Sequence, residues 1–252
     1  MKQGKEYHIA LGKGDIGEYV ILPGDPGRVP KIAKYFDNAK KVAENREYTT
    51  YTGEVDGIKV SATSTGIGCP SAAIAVEELA KIGAHTFIRV GTCGSLQPEI
   101  KTGEIVISTG AIRGDGTSLS YVPVEYPAVP DFDVTLALRE AATRLGYPYH
   151  LGISHCKDAF YLEYPEILPM EDEIKARWKM WQRANVAATS MEASAVFVVS
   201  AIRKLRAGEV MAVIGATWND EPIKEKAGVE EAIKTAIEAI KILHARDLSA
   251  NS

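Results

Sequence analysis

Hydrophobic positions along the chain form short apolar runs that alternate with longer segments of helical period. The runs predict strands at 18–22, 58–64, 86–91, 104–109, 151–155, 186–189 and 210–216. The segments between them predict helices at 26–35, 71–83, 133–145, 167–183, 192–204 and 225–246. Such alternation is typical of an α/β fold, in which helices cover parallel strand pairs on both faces. Since no repeat, low-complexity tract or linker divides the chain, we expect residues 1–252 to form a single domain.

A glycine-rich turn follows the predicted strand 58–64 and leads directly into the predicted helix 71–83. It reads Ser64-Thr65-Gly66-Ile67-Gly68-Cys69-Pro70-Ser71. Gly66 and Gly68 allow the backbone to approach a ligand closely, and Ser71 is placed to cap free N–H groups. The junction favours anion binding because a helix N-terminus carries partial positive charge. Many α/β proteins have such a turn for steric reasons alone, so it does not define a site by itself.

Two arginines bring charge to the ends of predicted strands. Arg28 ends the turn Gly24-Asp25-Pro26-Gly27-Arg28, and Arg89 lies within the apolar run 86–91. Burying an unpaired arginine is costly, so Arg89 is expected to have an anionic partner. Together with the Thr92 hydroxyl and glycine N–H groups, the two guanidinium groups form a set suited to a tetrahedral oxyanion such as phosphate. Taken singly, each arginine is equally consistent with a structural salt bridge.

Composition argues against several other classes of protein. The chain has 29 Lys and Arg against 33 Asp and Glu, a formal net charge of −4, which offers no basic field for nucleic acid. No apolar run has the length of a transmembrane helix, and the first residues do not lead into a signal-peptide core, so we expect a cytoplasmic protein without membrane contact. Cys69, Cys93 and Cys156 form no C-x-x-C, which argues against a disulfide framework and a zinc site.

Several motifs together resemble those of the nucleoside phosphorylase-I family, and in particular its uridine phosphorylase branch. The stretch Ser64 to Leu79 is similar to the family signature. Further matches occur in the family's order at His8, Gly24 to Arg28, Asn45 to Tyr48, Arg89 to Thr92, Phe160-Tyr161 and Met191-Glu192. The resemblance implies a central mixed sheet that forms a distorted barrel flanked by helices. It also implies reversible phosphorolysis of uridine or another nucleoside, with phosphate as co-substrate and no required cofactor.

The resemblance assigns residues to each part of the substrates. The residues that it assigns to phosphate binding are Gly24, Arg28, Arg46, Arg89 and Thr92. Its ribose ligands are His8, Met191 and Glu192, and the residue before this pair is Ser190, where uridine phosphorylases often carry an acid. Its catalytic residues are Arg89, Thr92, Glu192 and Asp220.

The resemblance also implies assembly. In the family, the counterparts of Arg46 and His8 reach the site of the adjoining subunit, so the chain is expected to form a homo-oligomer with shared sites, as a hexamer built from three dimers. A structural potassium ion at the dimer interface would be held by oxygen atoms of Glu47, Ile67 and Ser71.

Base recognition departs from the uridine phosphorylase pattern. The Phe-Tyr pair of that branch is followed by glycine, glutamine and then an arginine, which read the amide edge of uracil, whereas this chain has Phe160-Tyr161-Leu162-Glu163. Phe160 is expected to stack on the base, with Trp218 nearby. Glu163 is able to accept the uracil N3–H, but a carboxylate cannot donate to a carbonyl. Asp220, or Asn219 if the loop shifts by one, stands where purine-specific relatives place an aspartate for N7.

Three alternatives to a uridine phosphorylase therefore stay open. Asp220 favours a purine nucleoside phosphorylase acting on inosine, guanosine or adenosine. A nucleoside hydrolase would use water, but it has no need of the three retained arginines Arg28, Arg46 and Arg89. A non-enzymatic nucleoside-binding protein would be free to lose these arginines or Glu192, and the chain has kept them all.

Overall fold

The computed structural model describes residues 4–217, 224 and 227–250, and within them the chain forms nine strands and seven α-helices. The strands are β1 (Tyr19–Pro23), β2 (Asp37–Asn45), β3 (Tyr48–Val55), β4 (Ile58–Thr63), β5 (Thr86–Ser95), β6 (Ile105–Gly114), β7 (Tyr149–Lys157), β8 (Ala188–Ser190) and β9 (Arg206–Ala216). The helices are α1 (Val29–Ala33), α2 (Cys69–Lys81), α3 (Gly116–Tyr121), α4 (Phe132–Leu145), α5 (Glu171–Arg183), α6 (Ala193–Ile202) and α7 (Val229–Ala250). Short 3-10 helices span Pro26–Arg28, Phe160–Glu163 and Pro165–Ile167.

All nine strands belong to one mixed sheet in the order β2-β3-β4-β1-β5-β8-β7-β6-β9. Because β5 also pairs in parallel with β9, the strands β5, β8, β7, β6 and β9 close into a barrel. β1 lies beside β5 in parallel, and β4, β3 and β2 extend the sheet from β1. The α/β fold and the barrel formed by its mixed sheet are thus confirmed.

Helices bury apolar residues against both faces of the sheet. Alternate residues of β1 serve the two faces, since Tyr19 and Ile21 pack in the cluster that contains α4 and α7, while Val20 and Leu22 pack in the cluster that contains α2 and α6. This is the period of two expected for a strand covered on both sides. Among the described residues, none of the helices combines the length and hydropathy needed to cross a bilayer.

The apolar pattern did not predict β2, β3 or α3. β2 is exposed or half-buried along its whole length, because it forms the edge of the sheet. An edge strand of this kind carries charged residues that discourage pairing with other chains, so it gives no apolar run. The pattern also placed the last strand at 210–216, whereas β9 begins at Arg206. That extension brings Glu209 into the strand, with consequences for the site.

Candidate active site

A cavity of about 830 Å³ opens where β1 and β5 end and where the turns before α2 and α6 approach them. Its lining includes eight residues that the sequence assigned to substrates, namely Gly24, Arg28, Arg89, Thr92, Phe160, Glu163, Met191 and Glu192. The glycine turn contributes Gly66 and Ile67. Segments that are far apart in the sequence therefore meet at one concave surface, which is the usual setting of a small-molecule site.

Arg89 occupies the centre of this site, between two carboxylates. It is 5% exposed, and its register partner on β9 is Glu209, which is 0% exposed. Nη1 of Arg89 donates to Oε1 of Glu209 at 2.6 Å, and Nη2 donates to Oε2 of Glu192. The guanidinium folds back over Gly91, where a Cβ atom would clash with Nη1. The anionic partner that the sequence required for Arg89 is thus present twice.

Burial and charge act in opposite directions on this network. Burial alone would lower the pKa of Arg89, but Glu192 and Glu209 outweigh it and raise that pKa above the ordinary value. Burial raises the pKa of Glu209 above its usual range, against the opposing effects of Arg89 and of the hydrogen bond from Ser108. Arg89 therefore stays protonated at every physiological pH. Glu209 was missed by sequence reasoning, because its register with Arg89 becomes visible only in the sheet.

The glycine turn is tied to the same network. The backbone N–H of Gly68 donates to Oε1 of Glu192 at 2.9 Å, and Glu192 itself immediately precedes α6. Gly66 and Gly68 have φ of +70° and +96°, a backbone region that strongly favours glycine. The expectation that Ser71 caps α2 is wrong. The helix begins earlier, at Cys69, and Ser71 lies in its first turn, where its hydroxyl donates to the carbonyls of Ile67 and Gly68.

Arg28 reaches the cavity from a short 3-10 helix. Asp25 caps this helix by accepting from the N–H of Gly27 at 2.8 Å, and Nη1 of Arg28 donates to the carbonyl of Val90 at 3.1 Å. Burial and then the positive charge of Arg89 lower the pKa of Arg28 from its ordinary value. Two guanidinium groups that repel each other at the wall of one cavity are the arrangement expected of an anion site.

Three described residues that line the cavity carry unpartnered polar atoms. Nε of Arg89, Oγ of Ser190 and Oγ1 of Thr217 are buried and have no hydrogen-bond partner among the described residues. Leaving such a group unsatisfied costs about 1–3 kcal/mol. A polar ligand that bonded to these atoms would recover that cost, so the cavity is suited to a polar ligand.

The lining of the cavity also contains an ion pair, with a buried lysine, that the sequence did not reveal. Lys157, at the end of β7, is 2% exposed, and its Nζ donates to Oε1 of Glu163 at 2.6 Å and to Oγ1 of Thr189 at 2.7 Å. Phe160, which lies in the same 3-10 helix as Glu163, is 41% exposed and lines the cavity. Sequence reasoning also missed Lys157. The feature that could have indicated it is a lysine shortly after a predicted strand.

His155 lies on the same strand, packed against Trp178 and Trp181. Burial and then the charge of Lys157 lower its pKa from 6.5 to about 4. Between these values the unfolded chain binds more protons than the folded chain, so stability is lost as the pH falls from 6.5 towards 4. We expect His155 to lower the free energy of unfolding by about 2 kcal/mol between pH 7 and pH 5, as measured by urea denaturation.

The variant His155→Gln provides the control for this prediction. It cannot take up a proton in the unfolded state, so its stability should change less between pH 7 and pH 5 than that of the natural chain. An identical change in the two proteins would contradict the assignment to His155.

Two predicted site residues lie away from the cavity of their own chain. Nδ1 of His8 is 2.6 Å from Oε1 of Glu78, and Arg46 is exposed in the turn between β2 and β3. The guanidinium carbon of Arg46 lies 5.7 Å from the centre of the Tyr7 ring. Neither His8 nor Arg46 lines the cavity. Trp218, Asn219 and Asp220 fall outside the described residues.

The three residues assigned to a cation gather around the glycine turn. Oγ of Ser71 is 3.3 Å from the carbonyl oxygen of Ile67, and a Cβ atom on Gly66 would lie 2.8 Å from Cγ of Glu47. These oxygen-bearing groups share one small region of the surface. The side chain of Ile67 beside them is 78% exposed.

The barrel and the arginine-lined cavity define a class of protein, and a family model specifies it. The model for the Phosphorylase superfamily matches residues 18–246, so the chain belongs to that superfamily. The chain is 50% identical to a uridine phosphorylase of Treponema pallidum, over 96% of this chain and 95% of the relative. It is 47% identical to a uridine phosphorylase of Thermococcus kodakarensis, over 96% of this chain and 88% of the relative. It is also 43% identical to a guanosine phosphorylase of Halorubrum lacusprofundi, over 95% and 99%.

Proposed function

We propose that the chain is a uridine phosphorylase, which converts uridine and phosphate reversibly into uracil and ribose 1-phosphate. The observation that carries this proposal is the meeting of Arg28, Arg89 and Glu192 in one cavity. Full-length relatives that are uridine phosphorylases support the choice of nucleoside.

Phosphate is the attacking group in this reaction, and it must be held beneath the ribose. In our proposal it binds to Arg28, Arg89, Thr92 and the backbone of Gly24. The unpartnered Nε of Arg89 would donate a charge-assisted hydrogen bond to it. Fixing the nucleophile next to C1′ replaces a bimolecular encounter by an oriented reaction, and no covalent enzyme intermediate is needed.

Ribose and base occupy the remainder of the cavity in this proposal. Glu192 would accept hydrogen bonds from the 2′- and 3′-hydroxyls, with Met191 packed against the sugar. Phe160 would stack on the base, and Glu163 would bind its edge. As the glycosidic bond breaks, positive charge builds on the ribose and negative charge on the base, so fixed groups at both ends stabilise the transition state.

A complete site would require a second subunit. We propose that Arg46 of the partner subunit completes the phosphate site and that His8 of the partner subunit contacts the 5′-hydroxyl. The exposed Ile67 and Tyr7, close to Glu47 and Arg46, would be covered in that interface. We propose three such dimers in a cytoplasmic hexamer, with a potassium ion bound by Glu47, Ile67 and Ser71 at each dimer interface.

Guanosine is a second candidate substrate, because one relative with nearly complete coverage is a guanosine phosphorylase. If Asp220 binds N7 of a purine, as its place in the sequence suggests, the same cavity would accept both classes of base. The residue lies outside the described part of the chain, so the choice rests with an assay.

A panel of nucleosides tests the proposed function directly. Uridine, thymidine, inosine, guanosine and adenosine are each incubated with and without phosphate, and free base is measured. We expect base release from uridine that depends on phosphate, with ribose 1-phosphate as the second product. Base release at an undiminished rate without phosphate would identify a hydrolase instead. Repeating the assay in tetramethylammonium phosphate tests the cation, since activity independent of potassium would argue against that site.

A further inference from the structure

The carboxylate of Glu163 accounts for only part of base recognition. Uracil presents an N–H beside a carbonyl oxygen, and Glu163 is able only to accept. A second group must therefore donate to the carbonyl. Among the described residues that line the cavity, Lys157 is the cation in direct contact with Glu163.

Lys157 is placed so that it keeps one donor for a ligand. An ammonium group has three N–H donors. Two of them are used on Glu163 and Thr189, at 2.6 Å and 2.7 Å. Lys157, Glu163 and Thr189 all line the cavity. Nζ of Lys157 also lies 5.8 Å from the centre of the Trp178 ring, but its third donor has no hydrogen-bond partner among the described residues.

Glu163 offers the matching acceptor. Its Oε1 receives the bond from Lys157, while Oε2 receives no hydrogen bond from the described residues. In a 3-10 helix, side chains three residues apart lie on the same face. Glu163 therefore lies on the same face of its 3-10 helix as Phe160, the proposed stacking residue. The ion pair thus presents one donor and one acceptor side by side, next to an exposed aromatic ring.

We propose that the Lys157–Glu163 ion pair recognises the lactam edge of a nucleobase, which is a ring N–H adjacent to a carbonyl. Lys157 donates to the carbonyl oxygen, and Glu163 accepts the N–H. As the base leaves with the glycosidic electron pair, negative charge spreads onto its carbonyl oxygens, where the ammonium group stabilises it. This inference rests on the proposed function and adds Lys157 to its substrate-binding residues.

The lactam edge defines a substrate class that crosses the division between pyrimidines and purines. Uracil, thymine, hypoxanthine and guanine all carry it. Cytosine and adenine present an amino group beside an unprotonated ring nitrogen, which would place donor against donor and acceptor against acceptor. Uridine and guanosine are thus accepted by one pair of side chains, while cytidine and adenosine are rejected.

Matched pairs of nucleosides test this proposal. The values of kcat/KM are measured for uridine against cytidine and for inosine against adenosine, in the natural chain and in Lys157→Met. We expect the natural chain to prefer the lactam member of each pair. Because Lys157→Met loses a charged donor, its kcat/KM for the lactam member of each pair should fall by about tenfold to a hundredfold. The preference for uridine over cytidine and the preference for inosine over adenosine should both become smaller. Wild-type rates that are equal within each pair would overturn the proposal.

A structural role of Lys157 gives a different result. If the ion pair only held the 3-10 helix on β7, Lys157→Met would slow both members of each pair alike and leave the ratios unchanged. If the methionine variant does not fold, Lys157→Gln replaces it; glutamine keeps a donor for Glu163 but removes the positive charge, so it too should narrow the difference in kcat/KM within each pair. The matched control is Lys175→Met, because Lys175 also forms ion pairs with glutamates but is exposed. Its ratios should equal those of the natural chain.

Binding of a free base by the ion pair can be measured without phosphorolysis. If no nucleoside is cleaved, the proposed function fails, but calorimetric titration with free uracil and free cytosine still tests the ion pair. Uracil should bind more tightly than cytosine to the natural chain, and Lys157→Met should lose that difference. An unchanged difference in the variant would overturn the inference, whatever the activity.

Discussion

Replacing Arg89 by alanine is expected to abolish phosphorolysis, with a loss of at least about a thousandfold in kcat/KM. The side chain contributes the unpartnered Nε that we propose for phosphate, and it also holds Glu192 in place for ribose. Both substrates would therefore lose a contact in one change. Steady-state kinetics with uridine at varied phosphate concentrations measures the effect. Residual activity within tenfold of the natural chain would contradict the proposed role.

Stability must be separated from activity in this variant. Without Arg89, Glu209 and Glu192 are left buried without their cation, and breaking a buried pair costs about 3–5 kcal/mol. The double variant Arg89→Met and Glu209→Gln removes charge from both sides and should recover much of the melting temperature. It should remain inactive, because the phosphate ligand is still missing. Recovery of activity together with stability would show that Arg89 acts only through the fold.

Two inactive variants are expected to restore activity when their subunits are mixed. Arg46→Ala removes a residue that we propose for the neighbouring site, whereas Glu192→Ala removes one from its own site. In a mixed dimer, one site then contains both natural residues and the other contains neither. Random reassociation should recover about a quarter of the natural activity, since half of the dimers are mixed and each has one intact site. Enzyme assays after mild dissociation and mixing of the two variants measure this.

Unmixed controls make the complementation specific. Each variant alone, taken through the same dissociation, should stay inactive. Mixing Arg89→Ala with Glu192→Ala should also give no recovery, because both residues belong to the same cavity and no mixed dimer has an intact site. Recovery in that second mixture, or none in the first, would argue against a site shared between subunits.

The apolar pattern was sufficient for the α/β fold, whereas the mixed barrel was expected from the family resemblance. Arg89 and Thr92 lie on β5 and Glu192 directly precedes α6, and the fold brings these segments together at one cavity. The apolar pattern singled out Arg89 as a charge within a buried strand, whereas the assignment of Glu192 depended on the family resemblance. The pattern failed for β2, because an edge strand has little apolar surface to mark it. It failed for β3, which is largely buried, because the buried positions of that strand are mostly Thr and Tyr and form no aliphatic run.

Glu209 and Lys157 were missed for a related reason. Each is a charged residue in a strand, and its role in the site depends on which residues contact it from neighbouring strands or from the segment after its own strand. Glu209 is defined by its register with Arg89, and Lys157 by its contacts with Thr189 and Glu163. A single sequence contains no record of register. Arg46 and His8 are the opposite case, because the sequence singled them out but the structure of one chain does not place them at the cavity. Their proposed roles rest on the family resemblance and require a second subunit.

The bond between Arg89 and Glu192 has a thermodynamic consequence. It joins a proposed phosphate ligand directly to a proposed ribose ligand, so a substrate that engages either side chain alters the energy of their mutual contact. The two binding equilibria are then linked, and each substrate must change the affinity of the other by the same factor. With these proposed roles, a single ion pair would make the response to nucleoside depend on how much phosphate the surroundings contain.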